Sequence, residues 1–404
     1  MSKAVAVGVR EESQAFSASP PSATCGCQAP HRRLHAGVFF DGTSKNKDVD
    51  LRDGTESNVV RMWQVYKVGA TADAVQVKIY IDGVGSMPVG PRVEQAGREI
   101  ADNTRWYNPL SGPAATVVSG GRLIGDLGDK VAGLVGGRGG KARLGRAYFW
   151  LWDQCKGLPE QATKTVDVYG WSRGASLSRT FVNLVNMALR RHVPALSVRF
   201  VGVWDTVGSF GMPGDDSDPG QNLYIDGTDA QAITHQTARH ELRHNFPLTI
   251  IPGIDREYAG EHTDVGGGHP PRDADDRLNH ITFICFKDMH TDSARTGVAL
   301  DPWRTRVPAA VDVEDLRRKA EIYAGASPSL TAPNSPWLRE REAFFRTYIH
   351  VSTSDASPWW WLIPPVGAAT HYLNPNRTDS PGRRRKFTPR RLGLKREPPD
   401  FEWG

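Results

Sequence analysis

The stretch Thr165-Val166-Asp167-Val168-Tyr169-Gly170-Trp171-Ser172-Arg173-Gly174-Ala175-Ser176 constrains the fold of this chain more than any other. A β-branched run enters a Gly-x-Ser-x-Gly pentapeptide, and residues 177–189 continue with apolar side chains at helical spacing. Strand, tight turn and helix in that order form the setting in which such a serine is presented as a nucleophile. The glycines are there for steric reasons. A serine on a strained turn needs neighbours without side chains, so that strand and helix can approach closely. The hydroxyl then projects at the carboxyl end of a parallel sheet, where open α/β sheets take their ligands.

The remaining pattern is consistent with that sheet. Strands are expected at 35–40, 75–81, 197–204, 248–251 and 348–352, and a further strand-to-loop passage over 256–268. Helices are expected at 58–68, 144–158 and 230–242, with more beyond residue 279. A polar surface loop is expected over 213–229. Strands alternating with helices predict an α/β fold, with a mainly parallel sheet covered by helices on both faces. Residues 112–145 are glycine-rich and read either as a flexible connection or as a lid-like insertion over an apolar site. The expected organisation is a loose N-terminal tail (1–34), a catalytic domain with a C-terminal elaboration (35–380) and a basic tail (381–404).

Charge narrows the partners. The formal charge is +5, and residues 381–404 hold eight Lys/Arg against three Asp/Glu, the whole of the excess. The body is thus near neutral, and no specific nucleic-acid partner is expected. Residues 1–11 lack the apolar core of a secretory signal, and no stretch is long enough to span a bilayer, so a chain made in the cytoplasm is expected. Cys155 and Cys285 lie in apolar contexts and read as buried thiols; neither a disulfide framework nor a zinc cluster is indicated. His240 and His244 fall at i, i+4 without an apparent third ligand, so no metal and no cofactor is expected.

A serine hydroxyl needs a base oriented by a carboxylate, each at the end of its own strand in α/β hydrolases, in the chain order Ser, Asp or Glu, His. Asp205 ends the 197–204 strand and opens a glycine-containing loop; the competing role for it is a cap or turn residue. His262, followed by Asp264 and three glycines, is the favoured base, and His350 is the alternative. Oxyanion donors are expected from the backbone N–H of Arg173 and from Gly42 or Thr43, with Asp41 organising that loop.

Six segments in order then resemble a known family: Phe40-Asp41-Gly42-Thr43 with Asn46, Tyr80-Ile81-Asp82-Gly83-Val84-Gly85, Arg146-Ala147-Tyr148-Phe149-Trp150-Leu151, Gly170-Trp171-Ser172-Arg173-Gly174-Ala175, Gly202-Val203-Trp204-Asp205-Thr206-Val207-Gly208, and Gly260-Glu261-His262-Thr263-Asp264-Val265-Gly266-Gly267-Gly268. The resemblance is to the α/β-hydrolase family that includes the type VI secretion lipase effectors, and it runs from about residue 35 to about 286. It implies a phospholipase exported by the type VI machinery to attack glycerophospholipids of a target-cell membrane, with Ser172, Asp205 and His262 as its triad. A secretion spike or tube protein and a cognate immunity protein are the partners it implies.

A lipid substrate also suits the Trp359-Trp360-Trp361-Leu362-Ile363 run and the Arg383-Arg384-Arg385-Lys386 cluster, since tryptophan favours bilayer interfaces and cations favour anionic headgroups. Core packing and a solvated tail are the competing readings. Two further functions stay open on the residues alone. One is a hydrolase of soluble esters or thioesters, and the other is a non-catalytic binding protein on a hydrolase fold.

Overall fold

The computed structural model describes residues 33–86, 140–208, 221–241, 246–324 and 336–350. The N-terminal tail up to residue 32, most of the glycine-rich segment, the tryptophan run and the basic tail lie outside the described residues.

Among the described residues seven strands form one sheet. They are β1 (Arg33–Phe40), β2 (Gly69–Ala70), β3 (Ala74–Ile81), β4 (Lys164–Trp171), β5 (Leu196–Trp204), β6 (Ala232–Ala238) and β7 (Asp255–Tyr258), in the spatial order β2-β3-β1-β4-β5-β6-β7. Among these strands only the β2–β3 pairing is antiparallel. β4 is buried along its whole length, as a central parallel strand covered on both faces must be. The chain leaves β1 for β3 on one side and returns to β4 on the other. The carboxyl ends of β1 and β4 therefore flank the topological switch point, where an open parallel sheet leaves a crevice.

The helices are α1 (Lys47–Asp53), α2 (Asn58–Val65), α3 (Gly140–Lys156), α4 (Arg173–Met187), α5 (His262–Gly266), α6 (Ile281–Arg295), α7 (Val313–Ala324) and α8 (Pro336–Tyr348). Alternation along the strands sends side chains to two cores. Ala36, Val38 and Phe40 of β1, with Val166 and Val168 of β4, meet Leu144 and Leu151 of α3 and Phe181 of α4. Phe39, Tyr169, Trp171, Phe200 and Trp204 point the other way, onto Met62 of α2 and Phe286 and Met289 of α6. Inside this second layer Asp167 is fully buried and receives Arg199 Nε (2.9 Å), Arg199 Nη2 (2.6 Å) and the Tyr66 hydroxyl (2.8 Å). That network links β4, β5 and the end of α2.

Several expectations need correction. Residues 232–238, expected to be helical, form β6: Ile233, Thr234 and Thr237 favour a strand, and a parallel partner along β5 fixes it there. His240 is accordingly not on a helix, and His244 lies outside the described residues. Residues 248–251 make one bridge, Val207 to Leu248, rather than a strand. The 221–225 part of the expected surface loop is largely buried, because the Asn222 and Tyr224 carbonyls accept from Asn183 and the Leu223 carbonyl accepts from Arg179, both on α4. Gly140 to Gly145 belong to α3, not to the glycine-rich insertion, and Arg33 and Leu34 to β1, not to the tail. Tyr348 ends a helix instead of starting a strand. Cys155 and Cys285 are buried free thiols, which burial raises above their ordinary pKa.

Candidate active site

The elbow is built at the end of β4. Ser172 has φ 59° and ψ −127°, a conformation that L-residues rarely adopt, and is held there from several sides. Its N–H donates to the Trp204 carbonyl (3.0 Å), and its own carbonyl accepts from Ala175 (3.0 Å) and Val207 (3.3 Å). The flanking glycines are required by contact. A Cβ on Gly174 would lie 2.3 Å from the Phe40 carbonyl oxygen, and one on Gly170 would lie 2.2 Å from Ser178 Oγ. Both approaches are far inside van der Waals contact, so a side chain at either position forces α4 away from β1 and β4.

Asp205 follows β5, fully buried and also at positive φ (40°). Its N–H donates to Gln236, and its Oδ1 accepts from Ala238 N–H at 2.7 Å, so the adjacent end of β6 fixes the carboxylate. The second oxygen, Oδ2, is 2.6 Å from His262 Nδ1. His262 opens α5 directly after β7, as the first residue of a helix rather than part of an open loop. α5 is only five residues long and depends on its cap. Glu261 accepts from Thr263 N–H (2.9 Å) while Asp264 Oδ2 accepts from Glu261 N–H (3.0 Å), a reciprocal capping box. The imidazole packs against two rings, Trp171 (centroids 5.1 Å apart) and Phe246 (4.8 Å). Trp171 immediately precedes Ser172, so the face of the histidine packs on the residue that leads into the elbow.

His350 is brought elsewhere. Its Nδ1 is 2.6 Å from Asp264 Oδ1, its N–H donates to Asp264 Oδ2, and its ring stacks on His269 at 3.8 Å. His269 Nε2 is in turn 2.7 Å from Glu261 Oε1. The two rings are nearly parallel (17°), so their in-plane lone pairs do not converge on one point, and the cluster is two histidine–carboxylate pairs lying face to face. It clasps the cap of α5. The structure therefore brings His262, not His350, to Asp205.

The loop after β1 faces the elbow. Asp41 is buried, with Oδ1 accepting from Gly42 N–H (2.7 Å) and Ser57 Oγ (2.7 Å), and Oδ2 from the Tyr80 hydroxyl (2.6 Å). Burial pushes its carboxyl up to about 6, against the pull of those bonds. The Gly42 N–H is thus committed within the loop. The N–H groups of Thr43 and Arg173 have no acceptor among the described residues, and Arg173 Nε reaches Thr43 Oγ1 at 2.6 Å. These two backbone donors follow the neighbouring parallel strands β1 and β4.

Three contributors are not evident from the strand-and-loop pattern alone. Glu241 is buried and accepts the His262 N–H at 3.2 Å. Trp171 fills the space left by two glycines: a Cβ on Gly266 would meet its Nε1 at 1.9 Å, and one on Gly42 its Cε3 at 2.4 Å. Glu261 sits one residue before the base, but its partner is three residues downstream, and only that spacing hints at a cap.

Among the described residues no helix is long and apolar enough to cross a membrane. A solved structure of the Tle1 effector bound to the VgrG spike from the type 6 secretion system is 18% identical, with a TM-score of 0.47, covering 80% of this chain and 85% of that one. A crystal structure of an uncharacterized protein from Pseudomonas aeruginosa is 20% identical, with a TM-score of 0.42, covering 77% and 56%. No curated protein matches the chain. The model of the type VI secretion phospholipase effector Tle1-like catalytic domain matches residues 36–189 and 188–287, more than half of the sequence. The chain belongs to the Tle1-like phospholipase effector catalytic domain family.

Proposed function

We propose that the protein is a serine hydrolase of the phospholipase A type, cleaving acyl esters of membrane glycerophospholipids through Ser172, His262 and Asp205. The observation that supports this most is the strained Ser172 elbow at the sheet's switch point, beside a buried Asp205–His262 pair 2.6 Å apart. The Asp205 carboxylate bonded at Nδ1 fixes the tautomer that leaves Nε2 as the base. His262 takes the Ser172 proton as the oxygen attacks the ester carbonyl. The Arg173 and Thr43 N–H groups are the donors available to the developing oxyanion, and Asp41 shapes their loop. Collapse of the tetrahedral species expels the lysolipid alcohol, which takes the proton from His262. Water, activated by the same base, then releases the fatty acid from the acyl-enzyme.

Family membership supports delivery by the type VI machinery to a target-cell membrane or periplasm, with a spike or tube protein as carrier and an immunity protein as antagonist. Release of fatty acid from phosphatidylethanolamine or phosphatidylglycerol vesicles tests the reading. Wild-type protein should release it and Ser172→Ala should not; equal release by both would reject the mechanism. A soluble-ester or thioester hydrolase would turn over dissolved substrates and leave vesicles intact. A binding protein on the same fold would do neither.

A further inference from the structure

Arg173 stands in a setting that neither the elbow nor the Asp205–His262 pair explains. Its side chain is partly buried beside the loop after β1, tethered through Nε to Thr43 Oγ1. No carboxylate pairs with it among the described residues, and the neighbouring charge it feels is a second cation, Arg143. Burial first, and that repulsion second, hold the guanidinium below its ordinary range. Arg143 is itself engaged with the loop after β3, donating to the carbonyls of Asp82 (2.6 Å) and Gly83 (2.7 Å) and pairing with the Asp82 carboxylate. Arg146 Nη1 also lies 3.7 Å from Asp82 Oδ1, so Asp82 answers to two arginines already. Asp41, although close in sequence to Thr43, has its oxygens occupied by Gly42, Ser57 and Tyr80.

A partly desolvated arginine without a counter-ion among the described residues is unfavourable unless an anion arrives with the ligand. A guanidinium fork matches phosphate oxygens, and the Thr43 hydroxyl, which accepts from Arg173, still has its own proton to donate. In a glycerophospholipid the phosphate diester lies one glycerol backbone away from the ester carbonyl. Arg173 lies one residue from the nucleophile.

We propose that Arg173, assisted by Thr43, receives the phosphate diester of the substrate and sets a preference for phospholipids over neutral glycerides. This rests on the serine-hydrolase reading above. The test compares phosphatidylethanolamine with a diacylglycerol of the same acyl chains, each dilute in neutral detergent micelles so that the surface is constant. Arg173→Gln should lower the ratio of kcat/KM for phospholipid over diacylglycerol by roughly 10- to 100-fold, the worth of a charge-assisted hydrogen bond. Arg173→Lys should lower it less, keeping the charge and losing the fork. A second measurement needs no variant. Glycerophosphoethanolamine should inhibit wild-type hydrolysis of diacylglycerol competitively, while glycerol and ethanolamine should not. A ratio indifferent to Arg173, or an absence of that inhibition, overturns the phosphate site and leaves the hydrolase standing. Wild-type protein that cleaves neither lipid, and matches Ser172→Ala, overturns both.

Discussion

At the scale of single residues, the site depends on a few side chains whose orientation is imposed by backbone. Asp205 is the clearest case, with one oxygen fixed by Ala238 N–H and the other on His262. Asp205→Asn keeps the shape but presents an amide to Nδ1, favouring the wrong tautomer, and should cost about 10⁴-fold in kcat with little loss of stability. Steady-state ester hydrolysis together with a thermal melt measures both. His262→Ala against His350→Ala separates the two histidines: the first should remove several orders of magnitude in kcat, and the second should mainly lower stability.

Asp41 makes a prediction in pH. Its carboxyl is pushed from 3.8 in the unfolded chain to about 6 in the fold. Between those values the folded chain binds a proton that the unfolded chain has released, so the contribution of this group to stability falls as pH rises from about 4 to about 6. Above that window the destabilisation is complete and constant. Wild-type stability relative to Asp41→Asn should therefore decline across the window and level off above it, as followed by denaturant midpoints. A difference flat from pH 4 to 7 would mean that the carboxyl is not shifted.

At the scale of elements, the elbow is a close approach of α4 to two strands. Gly174→Ala sets a methyl carbon against backbone oxygens that cannot rotate away, so this change should lower both stability and kcat although no catalytic atom is touched. A crystal structure or a melt of the variant checks it. In the other layer, Arg199→Ala would leave Asp167 charged and buried with only the Tyr66 hydroxyl, a loss of about 3–5 kcal/mol by analogy with broken buried pairs. Denaturant unfolding reads that directly.

Elements with a strong period were legible in the sequence: β1, β3, β4, β5, α2 and α4 fall within a few residues of expectation. β6 was not, because Thr234 to Thr237 is a run of four buried polar residues, and no apolar alternation distinguishes strand from helix there. Its state is set by β5 and by partners such as the Cys285 carbonyl on Gln236 Nε2, which are remote in sequence. α5 was hidden for a related reason. Five residues have too little helix of their own, and the reciprocal Glu261–Asp264 cap, itself clasped by His350, holds them.

At the scale of the whole molecule, the sheet's order determines which loops can meet. Residues 41–43, 172–173, 205 and 262 lie far apart in the chain, yet each follows a strand, or nearly so, at the carboxyl end of the parallel strands of one sheet. That convergence is why Ser172, Asp205 and His262, chosen as strand-end residues, gather at one end of the sheet. It also explains what such reasoning misses, since the neighbours of Trp171, Glu241 and Arg173 are supplied only by the folded sheet. The central claim is that Ser172 is a base-activated nucleophile. Intact-mass and peptide analysis after exposure to a fluorophosphonate measures it most directly. Stoichiometric modification at Ser172 is expected, absent in Ser172→Ala and strongly slowed in His262→Ala; a wild-type protein left unmodified, or labelled elsewhere, would contradict the account.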